Sequence, residues 1–160
     1  VNKLFLIAAV FVLAVTQNSF AQDSAKQSQS SQLLSLYYNI KNALVTDDAN
    51  AASLSAQEFI KALNSTDSKA ISESNISALL KDANSIAETK DIKHQREHFT
   101  GLSSNMVAAV KAGKLTDQPV YQAYCPMKKA YWLSKDKTIK NPYFGSAMLT
   151  CGKVVETINQ

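Results

Sequence analysis

Between Leu33 and Val110 the apolar residues recur every three or four positions, in four separate stretches. The first stripe is Leu33, Leu36, Tyr37, Ile40 and Leu44. The second is Ala52, Ala56, Phe59, Ile60 and Leu63, behind the candidate N-caps Asp47, Asp48 and Asn50. NSTDSKAISESN follows as a connection that can hold a short helical turn. Ser74 or Asn75 then caps a third stripe of Ile76, Leu79, Leu80, Ala83, Ile86 and Ala87. Asp91 opens the fourth, which carries Ile92, Phe99, Leu102, Met106, Ala109 and Val110. This spacing places each apolar set on one side of a helix. Pro costs about 3 kcal/mol inside a helix and Gly about 1. All of them (Pro119, Pro126, Pro142, Gly101, Gly113, Gly145, Gly152) lie beyond residue 100, so 31–100 has no strong breaker. Four amphipathic helices with short joints predict a mainly α fold, an antiparallel four-helix bundle.

The last fifty residues follow another rhythm. PVYQAYCPM and AYWL are short, aromatic and partly alternating, which predicts strands or extended segments. Lys135 to Lys140 is a charged turn, and Asn141-Pro142-Tyr143-Phe144-Gly145 a tight one. SAMLTCGKVVETI suits a short helix or a strand. The bundle therefore carries a small C-terminal aromatic-rich strand and turn region, 119–158, within one domain spanning 33–160.

At the other end, residues 4–15 form an unbroken apolar run, LFLIAAVFVLAV, preceded by Lys3 and followed by small residues at Ser19 and Ala21. Twelve apolar residues are too few to span a bilayer. Residues 1–21 are accordingly read as a secretory signal peptide cut between Ala21 and Gln22, with Val1 an initiator Met from a non-standard start codon. Residues 22–32, polar and rich in Ser and Gln, are read as a flexible leader. The expected location is periplasmic or secreted, with no transmembrane segment after cleavage. No Cys lies near the cut, so a lipid anchor is not expected.

Length and composition allow one domain: 160 residues, 46% hydrophobic and 19% charged, with a formal net charge of +4. Charge is unevenly spread. Residues 22–110 hold 8 basic and 10 acidic side chains, and 111–160 hold 8 basic and 3 acidic. In a secreted chain that basic end is a solvated face or meets an anionic surface, and no nucleic-acid partner is expected.

The candidate chemistry lies in sulfur and imidazole. Both cysteines and two of three methionines form two short pairs, Cys125-Pro126-Met127 and Met148-x-x-Cys151. Thiolate and thioether are soft donors suited to Cu(I) or Ag(I). Two Cys in an oxidising compartment also commonly form a disulfide, worth about 3–4 kcal/mol for a loop of this length. Separate buried thiols are the third reading. His94 and His98 lie one helical turn apart, and His98, nearer the apolar stripe, is the better ligand candidate. The sequence has no Cys-x-x-Cys, no His-Glu-x-x-His, no Gly-rich phosphate loop and no Gly-x-Ser-x-Gly elbow, so no enzyme is expected.

Tyr124-Cys125-Pro126-Met127, Tyr131-Trp132-Leu133-Ser134, Asn141 to Gly145 and Met148 to Gly152 together resemble the domain-of-unknown-function family 3347. Asp91-Ile92-x-x-Gln95-Arg96-x-His98-Phe99 with Leu102-Ser103 is similar to that family's other recognisable segment. The resemblance implies a small secreted protein, or a module appended to periplasmic adaptors of copper and silver efflux pumps, and hence heavy-metal handling with an efflux component as partner. The expectation is a Cu(I) or Ag(I) site of Cys125, Met127, Met148 and Cys151, with His98 as an extra ligand. Tyr124, Trp132 and Tyr143 would shield it from water. The alternative is a Cys125–Cys151 disulfide stabilising an envelope interaction module that binds no metal.

Overall fold

The computed structural model describes residues 18–66, 71–113 and 115–159, with side chains from Ser30 onward. Among these residues the fold is mainly helical, with four α-helices followed by a small three-stranded antiparallel sheet. The apolar run at 4–15, on which the signal-peptide reading rests, lies outside the described residues. No helix among the described residues is long and apolar enough to cross a membrane.

Helix α1 spans Asn18–Val45 and buries Leu33, Leu34, Tyr37, Ile40 and Leu44. It takes in 22–32, the segment read above as a flexible leader. No Pro or Gly stands there to end it, so the helix extends back from its packed half. Asp47 then adopts a left-handed φ of 61°, and α2 follows as Ala49–Asn64. Asp48 caps α2 by accepting the Ala51 N–H at 2.9 Å, and Ala52, Ala56, Phe59 and Leu63 are buried. Helix α3, Glu73–Ala87, starts two or three residues earlier than the spacing indicated. Its cap is Ser72, which accepts the Asn75 N–H; Ser74 lies inside the first turn with its hydroxyl 3.2 Å from that of Ser72. Helix α4, Ile92–Ala112, is capped by Asp91 and buries Phe99, Leu102, Met106, Ala109 and Val110.

Each helix packs on the next in sequence, and strand β2 lies on α4. The strands are β1 (Val120–Cys125), β2 (Ala130–Ser134) and β3 (Lys153–Ile158), in the order β2-β1-β3. The segment after Asn141 holds both expected forms, a 3-10 turn at Gly145–Met148 and then β3. One buried residue joins the layers: Tyr37 of α1. Its hydroxyl accepts the Leu133 N–H of β2 at 3.0 Å and lies 2.6 Å from Ser103 Oγ of α4. Its ring stacks on Phe99, with centroids 5.4 Å apart. The sheet is thereby tied to the helices through a hydrogen-bonded polar group, as burial of that group requires.

Candidate functional site

Register brings the two cysteines together. Strand β1 pairs with β3 through Tyr124 opposite Lys153, so Cys125 at the end of β1 faces the chain entering β3. Cys151 lies two residues before that pair, and the two Sγ atoms stand 4.0 Å apart. Both are free thiols, Cys125 buried and Cys151 half-buried. A disulfide needs about 2.05 Å between the sulfurs. Two thiolates on one ion at about 2.3 Å each can be separated by up to about 4.6 Å. The observed spacing fits a shared ion without movement of the backbone, and fits a disulfide after rotation of the side chains.

Asn141 organises this pair. It is fully buried, and its Nδ2 donates to Cys125 Sγ at 3.2 Å and to the Cys151 carbonyl at 2.7 Å. Its Oδ1 accepts the Tyr143 N–H at 2.8 Å, and its own N–H donates to the Leu149 carbonyl at 2.8 Å. Every polar atom of the amide is used, so the loop from 141 to 149 is closed over the sulfurs. Lys128 N–H adds a second donor to Cys125 Sγ at 3.4 Å. At the other thiol, desolvation and the adjoining Cys125 push Cys151 above its ordinary value, partly offset by the Met127 backbone N–H.

The remaining expected residues fall into two groups. Trp132 is buried against Gly152: a Cβ there would meet its ring at 2.7 Å. Tyr143 is buried, packs edge-on against Trp132 with centroids 6.1 Å apart, and donates its hydroxyl to the Tyr131 carbonyl. Tyr124 is half-buried with its ring 4.8 Å from that of Tyr131. Met148 is half-buried and its carbonyl accepts the Cys151 N–H, whereas Met127 is 65% exposed. His98 stands with other partners. Its Nδ1 lies 3.4 Å from Asp82 Oδ1 of α3, and its ring 4.7 Å from that of His94. At about 100° per residue, it lies roughly 160° round α4 from Arg96, the residue that reaches the 141–145 turn.

Arg96 holds that turn in place. Its guanidinium donates to the Pro142 carbonyl at 2.9 Å, the Leu44 carbonyl at 2.7 Å and Asp47 at 2.5 Å. Asp47 in turn accepts the Ser146 N–H at 3.1 Å, so α1, α4 and the loop over the sulfurs meet at one ion pair. Local spacing marks Asp47 only as a cap candidate and Asn141 only as the start of a tight turn. The one local signal for Asn141 was its place before Pro142, which favours an extended residue opening a turn. Among the described residues no group of three or more His, Cys, Asp and Glu converges on one point. A metal at the sulfur pair would therefore rest on two thiols, with thioether or backbone donors completing the set.

The sequence profile of the family described as "Protein of unknown function (DUF3347)" matches residues 33–118, more than half of the chain, and the chain belongs to that family. The match covers the helical part and stops short of the sulfur pair, which lies at 125 and 151. No curated protein and no solved structure matches the chain.

Proposed function

We propose that this DUF3347 protein binds a soft monovalent ion, Cu(I) or Ag(I), through Cys125 and Cys151, and serves heavy-metal handling at the cell envelope. The observation that carries the reading is the pair of free thiols 4.0 Å apart with the Asn141 amide donating to one of them. Thiolates suit soft ions, and the Asn141 and Lys128 N–H groups directed at Cys125 Sγ fix its position. Buried Trp132 and Tyr143 restrict water, and a dry shell favours Cu(I) over Cu(II). Met148, whose carbonyl accepts the Cys151 N–H, is the candidate thioether nearest in the chain to Cys151, and Met127, at the surface, can fold over an ion already held. His98 is left out of the ligand set, because it is engaged with Asp82. The helices, taken as an antiparallel bundle, act as the scaffold. A secretory signal at residues 1–21 and an efflux component as partner complete the reading.

The test is competition for Cu(I) against a chromogenic chelator, with protein reduced under anaerobic conditions. About one equivalent should bind, and oxidised protein should bind far less, since a cystine offers no thiolate. The Cys125→Ser/Cys151→Ser variant should keep its helical circular dichroism and lose the copper. Reduced wild-type protein unable to compete would end the metal reading. The second reading, a disulfide-stabilised interaction module, draws on the same short sulfur separation; it requires that the isolated protein resist alkylation and melt lower after reduction.

A further inference from the structure

Away from the sulfur pair, a cleft of about 490 Å³ opens between the end of α1 and the chain leaving β2. It is lined by Lys41, Ser134, Lys135, Asp136, Thr138 and Lys140 among others. Lys41 is the unusual member. It is only 4% exposed, yet among the described residues no carboxylate lies within ion-pair distance of its ammonium and no hydrogen bond ends it. Ser134, equally buried, accepts the Asp136 N–H on its Oγ, which leaves its own hydroxyl proton to donate into the cleft. The Lys41 stem is buried and its ammonium meets water only at the cleft, so the charge is poorly solvated, and an anion brought into the cleft would offset that loss.

We infer that this cleft binds a phosphate group, free or carried on a small molecule, with Lys41 as its central ligand and Ser134, Lys135 and Lys140 completing the contact. Charge supports the choice. Three ammonium groups against the single carboxylate of Asp136 leave a surplus of two positive charges around the cleft. A phosphomonoester carries about −1.5 to −2 at neutral pH. Volume supports it too: the cleft lies within the range of about 300–1,000 Å³ typical of small-molecule sites, so there is room for an organic body beyond the phosphate. Desolvation holds the Lys41 ammonium down at about 8, with Asp136 opposing the fall and Lys140 and Lys135 adding to it. Phosphate is already doubly ionised there, so binding should weaken as pH rises through that value and Lys41 loses its proton.

Calorimetric titration of the full protein with inorganic phosphate, then with glycerol phosphate, tests the inference. Lys41→Met keeps the buried stem and removes the charge; it should weaken binding at least about tenfold, the loss expected for a charge-assisted contact. Lys135→Ser/Lys140→Ser alters only exposed side chains, so it should stay folded, and it should weaken binding in the same direction. Lys41-dependent flotation of the protein with phosphatidic acid vesicles would assign the phosphate to a lipid headgroup, while glycerol phosphate binding without flotation would assign it to a free metabolite. No heat and no melting shift with either phosphate, together with no Lys41-dependent flotation, would overturn the site. So would a Lys41→Met protein that stays folded and binds as tightly as wild type.

Discussion

Arg96 Nη2 and Asp47 Oδ1 stand 2.5 Å apart, joining the second turn of α4 to the left-handed residue in the turn after α1. Gly145 passes directly over this pair. A Cβ built on it would lie 2.2 Å from Arg96 Nη2 and 2.3 Å from Asp47 Oδ1, and its φ of 52° disfavours other residues. Gly145→Ala and Arg96→Met should each lower stability by about 2–3 kcal/mol, the second by leaving the Pro142 carbonyl without its donor and Asp47 without its guanidinium. Urea denaturation would measure both, and a change below half a kilocalorie would show that the pair is ornamental.

The same pair sets an acid limit. The Ser146 hydrogen bonds and then Arg96 lower the Asp47 carboxyl from 3.8 to about 2. A depressed acid stabilises the fold fully above its unfolded value and ceases to do so as pH falls through the folded one. Wild type should therefore lose stability between about pH 4 and pH 2 more steeply than Asp47→Asn, as followed by thermal melts across that range.

Asn141→Ala removes the amide that serves Cys125, the Cys151 carbonyl and the Tyr143 N–H together. The buried groups left unpaired should cost about 2–3 kcal/mol. Hydrogen exchange should quicken at Tyr143 and through the 141–149 loop, while α2 and α3 keep their protection.

Thiol reactivity should report the mutual influence of the cysteines. Burial and Cys125 raise the Cys151 thiol above 9.0. The alkylation rate of Cys151 should rise with pH around a midpoint above that value. In Cys125→Ser one of the two causes is gone, so the midpoint should move down. Superimposable profiles would mean that the sulfurs do not interact in solution.

Tyr37→Phe isolates the link between helices and sheet. It should cost about 1–3 kcal/mol by leaving the buried Leu133 N–H without an acceptor. The companion Ser103→Ala, which spares that N–H, should cost less; chemical denaturation monitored by circular dichroism reads both.

The helices could be placed from sequence because their signals are local. Caps such as Asp48 and Asp91 act on N–H groups two or three residues away, and an apolar stripe repeats within each turn. The start of α3 was misplaced by two or three residues because Ser72 and Ser74 both suit a cap, and only the backbone at Ser72, with ψ at 147°, distinguishes them. The start of α1 was set too late because a polar composition says little about a segment that continues a packed helix.

By itself the sequence determined four helical segments, aromatic strands after residue 119, and two sulfur pairs of soft-donor character. What the sulfurs meet was decided by tertiary structure. The β1–β3 register sets Cys125 beside Cys151, and Asn141 reaches them only because the 141–149 loop folds back on itself. Arg96 contacts Asp47 across 49 positions, and Lys41 shares a cleft with Lys135 and Lys140. Helical periodicity and capping are settled by hydrogen bonds within a turn, so a short window contains them. Contacts between distant segments depend on strand order, register and loop closure, which no window of neighbouring residues specifies.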